Sequence, residues 1–314
     1  MLAYIAKRLS LMVPLLIIIS FVVFALTLLI PGDPAVSLAG ENATPERIDF
    51  VRSQLGLDKP LVERYLTWLW GVMRGDLGTS FMDGRTVSSG LSQRLPVSIG
   101  LASVTLLYAS TVGVTAGVIA GRRAGGKTDR VVTLMTSMGL AIPHFWLGML
   151  LILFVSLRLE LLPAVGYVAL TDNPVEWLKH LVIPAIALGS AVAAEIARQT
   201  RASVCNVMDQ EFVRTAYAKG LGEREIALKH VLRPACIPVV TVIGLQAARL
   251  LSASVVIEQL FAIPGLGSLA YQSVFNRDFP VLQGVVLVSA VGVLLVNLMV
   301  DVTYSVIDPR VRAE

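Results

Sequence analysis

The chain has 314 residues, 55% of them hydrophobic and 15% charged, with a formal net charge of +4. A charged share so far below the usual ~25% excludes an ordinary compact soluble domain and favours a membrane protein. The two cysteines, Cys205 and Cys236, offer neither a disulfide framework nor a metal-binding spacing.

In chain order, the first apolar run covers 9–30. At ~1.5 Å per residue it is long enough to cross ~30 Å of hydrocarbon. Lys7 and Arg8 precede it, and Pro31-Gly32-Asp33-Pro34 follows where a cleavable signal would carry small residues. It reads as a retained signal anchor occupying 1–30. The next segment, 31–96, is too long and too patterned for a plain connector and reads as an external cap with short helices. Thr44-Pro45-Glu46 supplies an N-cap, a first-turn proline and an acidic first turn for a helix to about Leu55. Leu55 to Pro60 breaks the chain. A second helix over 61–73 carries Tyr65, Trp68 and Trp70, side chains suited to a membrane interface.

A core over 97–304 then holds five more apolar runs, at 97–120, 131–157, 181–194 with its continuation, 237–260 and 283–304. The expected fold is an all-α integral membrane protein with six transmembrane helices. The fourth span is the least clearly marked, because Glu195, Arg198 and Arg201 enter it from one end. Alternate connecting segments, counted from the N-terminus, carry fifteen Lys and Arg against eight acids. Both ends, including the tail 305–314, are therefore expected on the cytoplasmic side.

The stretch 204–235 is charged in an otherwise apolar chain. It reads as two short helices joined at Gly220-Leu221-Gly222, where glycine lets the backbone bend without a Cβ penalty. Phe212, Ala216 and Lys219 lie in the first half. Ile226, Leu228, Val231 and Leu232 lie in the second, among Glu223, Arg224, Lys229 and Arg233. The expectation is a compact knob, polar outside and apolar inside.

Between the second and third spans, Gly121 to Thr128 matches the phosphate-binding expression G-x(4)-G-K-[ST] letter for letter. That loop works only between a buried strand and a helix packed on a sheet, and this chain supplies membrane runs on both sides. Topology explains its basic residues, and no nucleic-acid footprint follows from them. His144, His180 and His230 are scattered without a metal spacing, and no carboxylate pair is placed for acid–base work.

Ionisable groups in spans are costly and are candidates for a gate or pathway. Glu195 and Arg198 can pair at i,i+3, with Arg201 one turn further on, either at a helix end emerging into water or at a gate. Arg249 lies deeper without a local partner and is expected to face the path or a partner helix. Asn297 and Asp301, at i,i+4, are expected to bond a neighbouring helix.

Arg214-Thr215-Ala216, Gly220 and Leu232 resemble the EAA loop of permease subunits of ABC importers. Arg214, His230 and Arg233 depart from that pattern, as is usual in its dipeptide/oligopeptide/nickel branch. The branch's other signatures follow in order: LGLDKP at 55–60, GDLGTS at 75–80, PGLG at 264–267, RDFPV with Gln283 and Gly284, and DPR at 308–310. The resemblance implies a type I importer permease fold, with an N-terminal extra span and a five-span core. It implies that Arg214, Thr215, Ala216, Lys219, Gly220, Leu221, Glu223 and Leu232 form the loop that docks on a separate ATPase. It further implies an inner-membrane location and a second similar permease. Two ATPase subunits would bind ATP and Mg, an external binding protein would deliver substrate, and this chain would hold no cofactor and catalyse nothing. Peptides are the expected cargo, with nickel or glutathione as alternatives. A stand-alone channel or secondary transporter should show inverted repeats or charge rings, and a purely structural membrane protein would leave the ordered motifs unexplained.

Overall fold

The computed structural model describes residues 2–26, 34–39, 43–54 and 56–307. Its helices, in chain order, are α1 (Leu2–Leu26), α2 (Pro34–Ala39), α3 (Pro45–Gln54), α4 (Leu61–Met73), α5 (Val87–Arg122), α6 (Lys127–Ala141), α7 (His144–Leu151), α8 (Pro174–Met208), α9 (Glu211–Ala218), α10 (Glu223–Glu225), α11 (Leu232–Ala253), α12 (Val255–Leu260), α13 (Leu266–Phe275) and α14 (Phe279–Ile307). Wider π-helical turns extend α7 to Arg158 and join α10 to α11 over Ile226–Val231. Five helices are long and apolar enough to cross a membrane, and the bent pair α6–α7 makes a sixth crossing. Residues 27–33 (which include the end of the expected first span), Leu55 and the tail from Asp308 lie outside the described residues.

The bundle is built on α5 and α8, which run parallel in close contact along their length. Helices in lipid gain little from hydrophobicity and associate by close packing, so small residues mark the seam. Gly113, Gly117 and Gly121, at intervals of four, form it here. A Cβ on Gly117 would stand 2.5 Å from Thr200 Cβ and 2.6 Å from the Ala197 carbonyl; on Gly113 it would meet the Ala193 carbonyl at 2.7 Å. The main core, including Leu101, Leu181, Ile196, Leu250, Ile257 and Phe261, gathers around this pair.

The fourth span is present as expected, and the third and fifth differ in form. The fourth span is the most enclosed of all: 61% of its apolar window is buried, and the helix runs over 35 residues. Of its charged groups, Arg201 reaches Asp129 on α6, whereas Glu195 and Arg198 pair with each other on the outward side. The third span is broken, with α6 and α7 at 100° to one another across Ile142-Pro143, where proline removes a backbone donor. The fifth span starts earlier than 237, because α10, the π-helical turn and α11 form one rod from the knob, and it is interrupted at Ser254 before α12.

The cap begins as the sequence predicts. Thr44 caps α3 through its carbonyl, which accepts from Arg47 and Ile48 N–H at 3.0 and 3.1 Å. The Glu46 carboxyl is held below its usual range by its own backbone N–H and then by the Thr44 side chain. Helix α4 docks on α1 through Tyr65, whose hydroxyl pairs with Ser20 Oγ at 2.8 Å and donates to the Ile17 carbonyl at 3.2 Å. Phe21 and Phe24 meet the Tyr65 ring edge-on. Helix α5 starts at Val87, ten residues before the expected run, so the cap passes into the second span without a joint.

Candidate functional site

The knob is a helix, a glycine turn and the root of a span. In α9, Val213 and Ala216 at i,i+3 turn inward and are 1% and 6% exposed. They meet Val204, Ile226, Val231 and Ala235, with Leu221 and Leu232 packed around them. Gly220 takes φ +76°, a left-handed conformation in which glycine alone is free of Cβ strain, and its N–H donates to the Tyr217 carbonyl at 2.9 Å. Gly222 then caps α10.

The expected coupling residues divide into two sets. Ala216, Leu221 and Leu232 are the footing that seats the knob on the bundle. Arg214, Thr215, Lys219, Gly220 and Glu223 are exposed. The outer surface is less polar than the sequence suggested, because Phe212, Tyr217 and Leu228 stand 48%, 45% and 58% exposed on it. Sequence reasoning misplaced Phe212 and Leu228 and did not place Tyr217; their signal was large side chains off the inward i,i+3 register. Glu223 also reaches Arg122 at the end of α5 at 3.9 Å, a weak surface pair.

The second half of the knob is the end of the fifth span itself. Pro234 and Pro238 lie in α11, and proline cannot donate to the carbonyl four residues back. The π-helical turn lies immediately before Pro234, where the missing donor of proline frees the His230 carbonyl.

The gate candidates occupy different places. Glu195 and Arg198 pair at 2.6 Å on the outward side of α8, with Arg198 64% exposed. Arg201 instead clasps Asp129 at the start of α6, its Nε 2.5 Å and Nη2 2.8 Å from the two carboxylate oxygens. Asp129 also accepts the Gly125 N–H at 2.8 Å, so the loop that imitates a phosphate cradle already holds a carboxylate. Asp301 binds Arg8 on α1 at 3.1 Å, the interhelical bond expected of it. Arg249 is exposed on α11 and has no hydrogen bond or ion pair among the described residues. The structure does not bring these groups together.

At the far end of the bundle a second polar centre surrounds Glu258, which is fully buried. Its carboxylate accepts from Ser98 Oγ at 2.9 Å, Ser254 Oγ at 2.8 Å and the Ser268 N–H at 2.8 Å. Ser98 Oγ in turn accepts the Leu266 N–H at 2.8 Å. Glu258 thus ties α5, the interruption at Ser254 and the start of α13 into one unit.

Comparison with known proteins agrees with this architecture. A chain of the MetNI methionine ABC transporter, solved in inward-facing conformations, superposes with a TM-score of 0.59 at 18% identity, over 69% of this chain and 96% of that one. The shared fold is the type I permease fold. A peptide transport system permease protein of Brucella abortus (strain 2308) is 39% identical over 312 residues, 99% of both chains. The dipeptide transport system permease protein DppB of Escherichia coli (strain K12) is 38% identical over 336 aligned positions, again 99% of both. Residues 1–102 match the N-terminal model of binding-protein-dependent transport system membrane components, and residues 113–313 match the model of the inner membrane component itself. The chain belongs to the binding-protein-dependent transport system inner membrane component family, the multi-pass permeases of ABC importers that work with ATPase and substrate-binding partners.

Proposed function

We propose that this permease imports peptides, forming half of a translocation path whose other half is a second, similar permease. Its relatives named for peptide and dipeptide transport align along essentially the whole chain, which favours that cargo over nickel or glutathione. Two ATPase subunits dock on the knob from the cytoplasm, where both termini of this chain also lie. ATP and Mg are held by those subunits, and this chain contributes no catalytic group.

The observation that carries the reading is the knob's construction. An outward surface of Phe212, Arg214, Thr215, Tyr217 and Lys219 stands on an apolar footing, and the rod from Glu223 runs into α11 without a loop. Closure of the ATPase pair pushes on the exposed surface. The footing keeps the knob from folding away, and the rod converts the push into movement of the fifth span. The two orientations of the path then differ in stability according to the ATPase state, which is alternating access driven by a partner.

Gly220→Asp tests this directly. A Cβ at Gly220 has nothing within 4 Å, so the substitution costs backbone strain of only about 1 kcal/mol. The variant is expected to fold and to assemble in the membrane while peptide uptake collapses. Uptake at the unaltered rate would sink the coupling assignment.

A further inference from the structure

At the end of the bundle opposite the knob, a polar cavity of about 220 Å³ opens between the start of α5, the turn 80–86 and α13. Gln93, Arg94, Gln272 and Asn276 line it, with Asp83 at its edge. Arg94 is half-buried, two turns into α5. Its guanidinium makes one long hydrogen bond, to Ser268 Oγ at 3.5 Å, and no ion pair among the described residues. A guanidinium presents five N–H donors in a planar fork that matches a carboxylate. Most of that fork is unspent here.

The carboxylates around it are committed elsewhere. Asp278 accepts from Ser80 Oγ at 2.5 Å and from the Phe81 N–H at 3.1 Å. Glu258, on the other side of Ser268, is enclosed by its own three donors. Asp83 accepts the Arg85 N–H at 3.0 Å and faces its guanidinium at 3.8 Å. Of the two guanidinium groups lining the cavity, Arg85 faces Asp83, which leaves Arg94 as the cation without a carboxylate partner among the described residues, beside side-chain amides able to bond a peptide group.

We propose that Arg94 receives the terminal carboxylate of the peptide as it enters the path. This site rests on the peptide reading above. At about 220 Å³ the cavity is smaller than the ~300–1,000 Å³ of a pocket that encloses a small molecule, so it holds one end of the cargo. A separate apolar groove of about 550 Å³ runs along α5, α11 and α14, with Leu95, which follows Arg94 in the chain, in its wall. A fixed carboxylate clamp beside an apolar groove suits cargo that shares a terminus and varies in sequence.

The test is uptake by the complete transporter in proteoliposomes, with binding protein loaded with a dipeptide or with the same dipeptide as its C-terminal amide. The binding protein's own preference cancels when each cargo is compared between permease variants. Arg94→Gln is expected to lower uptake of the free acid about 10-fold and to leave the amide within about two-fold. Arg94→Lys, which keeps the charge without the fork, should recover part of the loss for the acid alone. An equal fall for both cargoes would make Arg94 a structural residue and overturn the proposal, as would no fall for the acid. Failure of the unaltered complex to move either cargo would overturn the peptide reading, and this site with it.

Discussion

The two ends of this bundle handle polarity in opposite ways. At the Glu258 centre every polar group faces inward, and a fully buried carboxylate is matched by two hydroxyls and a backbone N–H. At the knob the polar side chains face outward, and the segment is seated by a small apolar footing around Val213, Ile226 and Val231. The first arrangement resists change, because any displacement strips bonds from a desolvated charge. The second holds its shape while leaving its outer surface free for a partner. A transporter needs both, one end that keeps its internal geometry and one that accepts force from outside.

Substitutions can break or sharpen that contrast. The seam beneath both ends should be the most sensitive. Gly117→Leu forces a side chain into Thr200 and Ala197, and no folded permease is expected in a membrane extraction; even Gly117→Ala should cost ~1–3 kcal/mol in a detergent melt. Glu258→Ala strands three donors and opens a cavity, for a predicted loss of ~3–5 kcal/mol in the same melt. Glu258→Gln, nearly the same shape, should lose distinctly less. Arg201→Leu leaves Asp129, which is 4% exposed, without its cation, and about 3 kcal/mol is expected to go. On the knob the pattern should invert. Phe212→Ala and Tyr217→Ala should shift the melt by less than ~0.5 kcal/mol and yet weaken ATPase retention about 10-fold or more. Lys59→Ala, which breaks an exposed i,i+4 pair with Glu63, should move neither readout measurably.

Much of this was legible in the sequence, for local reasons. The glycine turn at 220 and the start of α3 after Thr44 each rest on a few neighbouring residues, and each appears as read, whereas Tyr65 of α4, read for a membrane interface, is buried against α1. The parts that were not legible depend on what lies opposite. The fourth span looked weakest because hydropathy counts Glu195, Arg198 and Arg201 without their partners, and Arg201 proves to be held by Asp129, 72 positions earlier. The break at Pro143 and the interruption at Ser254 sit inside runs that their average hydropathy marks as continuous spans. Glu258 could not be read from its neighbours in sequence, since two of its three partners come from α5 and α13. The glycines at 113, 117 and 121 did carry a periodic signal, and their spacing of four predicts a helix seam in lipid. In the knob, the i,i+3 register of Val213 and Ala216 was available, and it would have turned Phe212 and Tyr217 outward.

The central claim is that the knob's exposed surface transmits ATPase force while its footing and rod stay intact. The most direct measurement is co-purification of the ATPase subunits with tagged permease in mild detergent, comparing the unaltered chain with a Phe212→Ala/Tyr217→Ala double variant of equal thermal stability. The account predicts that the ATPase subunits accompany the unaltered chain and are largely lost from the variant, while the second permease stays bound to both. Full retention of the ATPase by the variant would contradict it, and would mean that the docking surface lies elsewhere on the chain.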